Sequence, residues 1–478
     1  MHFDANRYWP PEKEALLLKA GFHHDSGQAA NAWKQWRAMQ DFDDAPWPQL
    51  RITASVGRRL RNIVEDDLTA RIGGFRKFVW TAGATRIAKA TPFLRALTSE
   101  GITPMLLKGG ARIVTDPNSL AERYFSDIDI LIRPEDWKTA CRVVARDGYK
   151  NVWNLSQEML EGRFRNTHHS IGIRVADQMD VDLHQSSLLM NRQKAADDAM
   201  WERSLPGKLG DLPMRLPHPS DRLAIIFGHA FLYMAERNYE WVGDALSSIA
   251  SPGFDWALFQ SITEKRELNV PAAAGLKYLK EELGANLPLE PLKRLEDNIR
   301  EPFISEFEAY YSLSNFETTD AEQSQKILEA ELKRIRNLNS AEKSESTVSV
   351  DTSWQKARRA ERRNGYAIEV PPEAAQSGLA TLEIRYRVFR PWRAAALALR
   401  TFDYFCVEIG RWKLPGIFPA LWKTHQIRID VPGALIDGRE VPELGVVALS
   451  AGNRITRNFL AAVSYRWRIP PVRDETEH

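Results

Sequence analysis

Apolar positions repeat in two rhythms along this chain, and the change between them divides it. Up to about residue 100 the spacing is helical. Glu12 to Ala20 sets Leu16, Leu17 and Leu18 in a charged background, and Leu50 to Arg71 places Ile52, Val56, Leu60, Ile63 and Val64 near a 3.6-residue repeat. Phe78 to Leu97 continues with Val79, Ile87, Phe93, Leu94 and Leu97, and Gly101 stands where such a helix ends. From Ile102 the repeat shortens. Ile102–Leu107 predicts a short buried strand, Lys108-Gly109-Gly110 a turn, and Ala111–Val114 the opening of a helix. A turn at Asp116–Ser119 leads to a second strand, Tyr124–Ile132, and a helix from Trp137 to Asp147 that Gly148 closes. His168–Val175 and Met179–His184 then alternate with period two around a turn at 176–178.

After Pro217-His218-Pro219-Ser220 the helical rhythm returns, with Ser220 as the expected N-cap and Asp221 in the first turn. Leu223, Ile226, Phe227, Ala230 and Phe231 begin it. Helices are predicted over 241–249, 256–263, 272–283, 292–299 and, as a long polar one, 321–335. Residues 337–352 are polar without a stripe and read as a linker. The basic run Lys356, Arg358, Arg359, Arg362, Arg363 reads as a solvated helix face, with a phosphate or nucleic-acid role as the alternative. Beyond 379, strands at 382–389, 426–431 and 446–449 mix with an amphipathic stretch over 391–412. That region reads as a small packed α+β appendage, the alternative being a docking face for a partner or membrane. The expected fold class is α+β, a small mixed sheet with helices. It would have five parts: an N-terminal helical region (1–100), the sheet-bearing core (101–214), a helical domain (215–336), a linker and basic helix (337–378), and a C-terminal α+β region (379–478).

Composition narrows the field without choosing within it. With 478 residues the chain is too long for one ordinary core. A 44% hydrophobic and 27% charged content is that of a soluble protein, and a net charge of +2 gives no global basic field for nucleic acid. Cys141 and Cys406 are too few and too distant for a disulfide framework or a zinc site. The N-terminus lacks the apolar core of a signal peptide, and no run of about 18 apolar residues predicts a spanning helix, so the cytoplasm is the expected compartment.

The chemistry concentrates in the short-period region. On a strand Asp127 and Asp129 share one face while Ile128, Ile130 and Ile132 share the other. Two carboxylates so placed repel unless a cation sits between them, and Mg²⁺ (or Mn²⁺) prefers a few carboxylates plus the phosphate oxygens of a substrate. The Lys108-Gly109-Gly110 turn, between strand and helix, presents backbone N–H groups that suit an anion. Asp180, Asp182 and His184 share a face of a later strand, so either acid could complete a three-carboxylate site. His184 reads as a core-edge histidine bonded to backbone, with a site role as the alternative. His168, His169 and His229 read as structural, Trp241 and Asp244 as packing and a salt bridge or cap, and Cys141 as a buried helix residue.

Taken together, Leu107-Lys108-Gly109-Gly110-Ala111, Arg123, Ser126 to Ile132, Asp147-Gly148-Tyr149 and Val181-Asp182-Leu183-His184 resemble the uncharacterised nucleotidyltransferase family of the DNA polymerase β-like superfamily. The superfamily's signature is a Gly-Gly or Gly-Ser turn on a helix, a D-x-D strand and a third acid on a later strand. Leu216–Leu223, His229, Trp241–Asp244 and Phe254-Asp255-Trp256 extend the likeness, which covers roughly residues 40–300 and extends to the Pro/Trp-rich stretch after 390 as well. The resemblance implies a nucleotidyltransferase core at 101–214. It implies transfer of a nucleoside monophosphate from a nucleoside triphosphate, ATP first, to a hydroxyl or amine on a protein, RNA or small molecule, with release of pyrophosphate. Asp127 and Asp129 would hold two Mg²⁺ ions, with Asp182 joining one of them or serving as base. Gly109 and Gly110 would meet the β and γ phosphates, and Lys108 and Arg123 would neutralise charge on them. The gap between Gly110 and Asp127 is wider than in minimal members, so Leu120–Tyr124 should form an extra turn or short helix. A catalytically weak nucleotide-sensing or partner-binding module on the same fold is the alternative, against which the intact acid set argues.

Overall fold

A computed structural model describes residues 3–63, 67–152, 157–161, 169–175, 179–188, 195–231, 238–300, 304, 307, 350–360, 365–371, 373–374, 379–388, 396–401, 408–413, 425–432, 443–449 and 460–469. They divide into two compact units: Met1–Gln157 with His169–Asn191 and Ala195–Thr318, and Glu158–His168 with Arg192–Lys194 and Thr319–His478.

The first unit opens with four helices, α1 (Glu12–Phe22), α2 (Ser26–Met39), α3 (Trp47–Ile63) and α4 (Thr69–Ser99). Asp25 caps α2 by accepting from the Gln28 amide at 2.8 Å. Leu17, Leu18, Trp33 and Trp36 are fully buried where these helices meet. The single helix expected over 50–71 is two. Glu65-Asp66-Asp67 interrupts the apolar repeat, and α4 then runs unbroken to Ser99.

The sheet follows. Seven strands lie in the order β3-β4-β5-β2-β1-β7-β6, with β1 at Met105–Leu106, β2 at Ile128–Leu131, β3 at Lys150–Asn151, β4 at Ser170–Arg174, β5 at Met179–His184, β6 at Leu205–Leu209 and β7 at Leu212–Leu216. It is mixed: β2 runs parallel to β5 and β1 parallel to β7, and the other pairs are antiparallel. Between strands stand α5 (Lys108–Thr115), α6 (Trp137–Arg146) and α7 (Asp198–Arg203). Between Gly110 and Asp127 a 3-10 helix forms at Pro117–Ala121, beginning upstream of the Leu120–Tyr124 stretch where the extra turn was expected.

Five helices complete the unit: α8 (Pro219–Ala230), α9 (Trp241–Ile249), α10 (Trp256–Lys265), α11 (Asn269–Glu281) and α12 (Leu289–Asp297). Ser220 is not the N-cap of α8. Pro219 takes the first helical position, the His218 ring accepts from the Ser220 amide, and the Ser220 hydroxyl donates to the Asp255 carbonyl. The helix expected at 321–335 and the linker up to 349 lie outside the described residues, as does His168.

The second unit holds β8 (Val350–Asp351), β9 (Gln355–Lys356), β10 (Arg358–Ala360), β11 (Gly365–Glu369), β12 (Leu379–Val388), β13 (Ala396–Thr401), β14 (Glu408–Lys413), β15 (His425–Pro432), β16 (Glu443–Leu449) and β17 (Leu460–Ile469). They form two antiparallel sheets, ordered β10-β11-β16-β13-β14 and β15-β12-β17-β8, with β9 pairing on β17. Along β12 (Leu379–Val388) residues Ala380, Leu382, Ile384 and Tyr386 alternate inward. Along β17 (Leu460–Ile469) Val463, Tyr465, Trp467 and Ile469 do the same, and both sets join one core with Leu397, Leu399, Leu444 and Val446 of the other sheet. The described part of the basic run, Lys356, Arg358 and Arg359, is strand where a helix was expected; Arg362 and Arg363 lie outside the described residues. Gln355–Lys356 and Arg358–Ala360 form β9 and β10, because Ala357 is the inward residue and its amide is bonded to the Val463 carbonyl. The stretch read as amphipathic over 391–412 contributes β13 (Ala396–Thr401) and β14 (Glu408–Lys413), and every described residue of 379–478 is strand. Among the described residues no helix is long and apolar enough to cross a membrane.

Candidate active site

Parallel pairing of β2 with β5 sets Ile128 beside Val181, Asp129 beside Asp182, Ile130 beside Leu183 and Leu131 beside His184. The isoleucine and leucine partners fill the core, with Ile130 and Leu131 fully buried. The same pleat turns Asp129 and Asp182 toward one side. His184 lies two residues beyond Asp182 and shares its face. Its Nε2 stands 3.0 Å from Asp182 Oδ2 and 3.1 Å from Asp129 Oδ1. Its Nδ1 is 3.3 Å from the Ser186 carbonyl. Acceptor oxygens face both ring nitrogens, so the ring is set up to be doubly protonated.

Lys108 closes the cluster from the next strand over. β1 ends at Leu106, the Leu107 amide donates to the Asp129 carbonyl, and the chain then turns into α5 with Lys108 at φ +44°. A non-glycine residue in the left-handed region is held there by its surroundings. Lys108 Nζ donates to Asp129 Oδ1 at 2.7 Å. Asp127 precedes β2 by one residue. Ser126 Oγ donates to its Oδ1 at 3.0 Å, and Arg86 of α4 holds the Phe125 and Ser126 carbonyls just upstream.

Asp127 and Asp129 do not titrate alike. Burial, and then the charges of Asp129 and Asp182, push Asp127 up to about 6. Burial also opposes ionisation of Asp129, but Lys108 and His184 outweigh it and hold that carboxyl well below the usual range. Burial works against the His184 imidazolium too. Asp182 and the two hydrogen bonds outweigh it and push the ring up to about 9. Lys108 is raised in the same way, by Asp129 and Asp182 against its burial. The chain alone meets the acids with one ammonium and one imidazolium.

Ligand atoms of Asp129, Asp182 and His184 all lie within 4.8 Å of one another. Two carboxylates and an imidazole nitrogen at that spacing fit a divalent cation, which would take over the role that the His184 and Lys108 protons now fill. Asp127 adds its charge at the rim. The structure thus brings Lys108, Asp127, Asp129 and Asp182 together and adds His184. The signal for His184 was in the sequence: its period-two offset from Asp182. A buried backbone-bonded histidine explains that position equally well, and the ring does both. Asp180 is in β5 with its side chain outside the described residues.

Arg123 is placed differently from the expectation of a phosphate ligand. Its Nε donates to Asp244 at 2.9 Å, its guanidinium lies 4.6 Å over the Phe125 ring, and the residue is buried. It lies against Gly109, where an added Cβ would come within 2.2 Å of the guanidinium carbon. Glycine is required there by this arginine, whatever ligand approaches the turn from its other side. Gly110 is packed on Leu106. Asp244 also receives Arg112 at 3.1 Å, so the residue read as a salt bridge or cap joins two buried arginines.

Two further histidines ring the site. His169 and His229 have ring centroids 5.4 and 6.2 Å from that of His184. His229 Nε2 donates to the Ser187 carbonyl at 2.8 Å, and burial with the Lys108 charge holds its pKa well below the ordinary value, so this ring is neutral.

Compared with known proteins, residues 63–284 match the model of a family described as an uncharacterised nucleotidyltransferase. That span includes all of the residues above. No curated protein and no solved structure matches the chain.

Proposed function

We propose that this chain transfers a nucleoside monophosphate from a nucleoside triphosphate, ATP first among them, to a hydroxyl or amine of an acceptor. The bond from the α-phosphorus to its bridging oxygen breaks, a new P–O or P–N bond forms, and pyrophosphate leaves. The observation that carries this reading is the register of β2 on β5, which sets Asp129 beside Asp182 under Lys108. The family match over 63–284 points to the same chemistry.

Asp127, Asp129 and Asp182 are the residues that would hold Mg²⁺ or Mn²⁺, with His184 Nε2 as a further donor once its proton leaves. Bound there, a divalent ion would polarise the phosphate oxygens and ease ionisation of the attacking hydroxyl. The first-turn amides of α5, at Gly109 and Gly110, have no partner within their own helix and are the donors for the β and γ phosphates. Lys108, released from Asp129, is positioned to neutralise charge on the phosphate oxygens. Asp182, with one cationic partner where Asp129 has two, would take the acceptor proton. Arg123 supports the turn from beneath and is left out of the phosphate contacts.

The test is label transfer from α-labelled ATP with Mg²⁺ or Mn²⁺, comparing the wild type with Asp129→Asn and Asp182→Asn. Each variant should keep its circular dichroism and lose about 10³-fold in rate. Transfer that survives Asp127→Ala/Asp129→Ala would sink the mechanism. Binding of nucleotide without pyrophosphate release, with every acceptor tried, would favour the sensing module instead.

A further inference from the structure

A cavity of about 760 Å³ lies between α3, α5, α8 and α9, within the first unit and away from the carboxylates. Its volume is that of a small-molecule site. Four guanidinium groups line it, from Arg58, Arg59, Arg112 and Arg222, against two carboxylates, Asp116 and Glu122. Those carboxylates do not serve the arginines evenly. Glu122 is shared among Arg58 at 3.5 Å, Arg112 at 3.6 Å and Arg76 at 3.7 Å. Arg112 has Asp244 in addition.

Arg222 has no carboxylate within ion-pair distance among the described residues. Its terminal nitrogens donate to two neutral hydroxyls, Thr115 Oγ1 at 3.0 Å and Ser251 Oγ at 2.8 Å, and it is only 6% exposed. Arg59 donates to the carbonyls of His23 and His24 and likewise has no carboxylate partner there. The Nε groups of Arg112 and Arg222 are buried with no acceptor. The hydrogen bonds of Arg222 go only to neutral groups, and the more distant charge of Asp244 does not outweigh its burial; an anion in the cavity would offset that cost. Burial holds both Arg59 and Arg222 below the usual arginine value, which is the direction expected of cations short of counter-charge.

We infer that this cavity binds a phosphate dianion, held by Arg222 and Arg59 with Arg58 and Arg112 at its sides. Arg222 and Arg59, the two lining guanidinium groups with no carboxylate at ion-pair distance among the described residues, together match a dianion better than a single carboxylate. The space exceeds what free phosphate needs, and Phe22, Leu205 and Leu246 supply apolar wall, so an organic phosphate monoester is the better fit. The inference uses none of the carboxylates of the candidate active site and stands apart from the nucleotidyl-transfer reading.

Calorimetric titration of the full chain in EDTA tests it, with phenyl phosphate, inorganic phosphate and benzoate as probes. Phenyl phosphate should bind saturably and at least about tenfold more tightly than benzoate. Tighter binding of phenyl phosphate than of inorganic phosphate assigns the site to esters, and equal binding assigns it to free phosphate. Arg222→Met should weaken phosphate binding about tenfold or more, and Lys108→Ala should leave it unchanged. Arg58→Gln, on a side chain 61% exposed and so harmless to folding, should weaken it about threefold even if Arg222→Met fails to fold. The inference is overturned if no phosphate probe binds at 10 mM (about the weakest affinity of interest), if benzoate binds as well as phenyl phosphate, if Lys108→Ala abolishes the binding, or if Arg58→Gln leaves it unaltered.

Discussion

At its first residue α5 presents Lys108 to a cluster with more carboxylates than fixed cations. One turn on, Arg112 lines a cavity with more guanidinium groups than carboxylates. The two places are about 6 Å apart along one short helix. They are joined in its interior through Asp244, which binds both Arg112 and Arg123 beneath Gly109. Folding alone would favour exchanging a charge between them. That each keeps its own surplus is what the proposed ligands would balance, a cation at one end and an anion at the other. A pair already in balance gives the reference. Asp197 meets Arg266 at 2.7 Å, both side chains 11% exposed, and takes both the amide and the hydroxyl of Ser187.

The largest stability effect should come from that reference pair. Asp197→Asn removes the carboxylate charge 2.7 Å from buried Arg266 and should cost about 3 kcal/mol at pH 7, read from urea denaturation. The loss should depend on pH. Burial opposes the Asp197 charge, but Arg266 and Ser187 outweigh it and hold the carboxyl below its ordinary range. The unfolded group titrates near about 3.9. The pair's contribution is therefore complete above about pH 4 and is lost as pH falls through the lower folded value. Wild type and variant should converge in strong acid. If the gap stays constant through that range, the pair is not the balanced reference that the comparison needs.

Next in size is the joint between the two ends. Gly109→Ala puts a methyl where the Arg123 guanidinium and, at 2.6 Å, the Phe125 ring already lie, and should cost about 2 kcal/mol by overpacking. Removing the arginine should relieve it. In an Arg123→Ala background the same substitution should cost less than half as much, a coupling that a double-mutant cycle measures. Equal costs in both backgrounds would mean that the glycine serves the backbone turn alone and that Arg123 does not bear on it.

How far each end could be read from the sequence follows from how it is built. The carboxylate cluster is local: Asp127 and Asp129 are two residues apart, as are Asp182 and His184, and strand alternation alone assigns their faces. Only the register of β2 on β5 was missing, and with it the place of His184 between both acids. The arginine cavity is assembled from α1 to α9 of the chain order, from residue 21 to residue 252, and no short-range pattern announces it. Arg123 shows the limit from the other side. The family resemblance implied phosphate for it, while its partner Asp244 lies 121 residues away. The helices were legible wherever an apolar repeat was unbroken, and their ends were not: α5 begins at Lys108 because the turn is itself the first helical turn. The basic residues at 356–359 read as helix because charges on the exposed side of a strand pair look the same as a solvated helix face until Ala357 is known to point inward.

The smallest effect expected is also the one with the less usual sign. In a metal-free chain Asp127 stands beside two other carboxylates, with Lys108 and His184 already committed to Asp129 and Asp182. Asp127→Asn removes one of three mutually repelling charges and keeps the shape and the hydrogen bond that Ser126 can make. It should stabilise the chain in EDTA by about 1 kcal/mol, the order of one modest electrostatic contact. Adding Mg²⁺ should reverse the ranking, because the wild type gains the full binding free energy of the ion and the variant only part of it. Denaturation curves with EDTA and with Mg²⁺ give all four values. A variant less stable than wild type in EDTA would show that the carboxylates at this end of α5 are not in net repulsion. The contrast with the arginine end, where the surplus has the opposite sign, would then lose its physical basis.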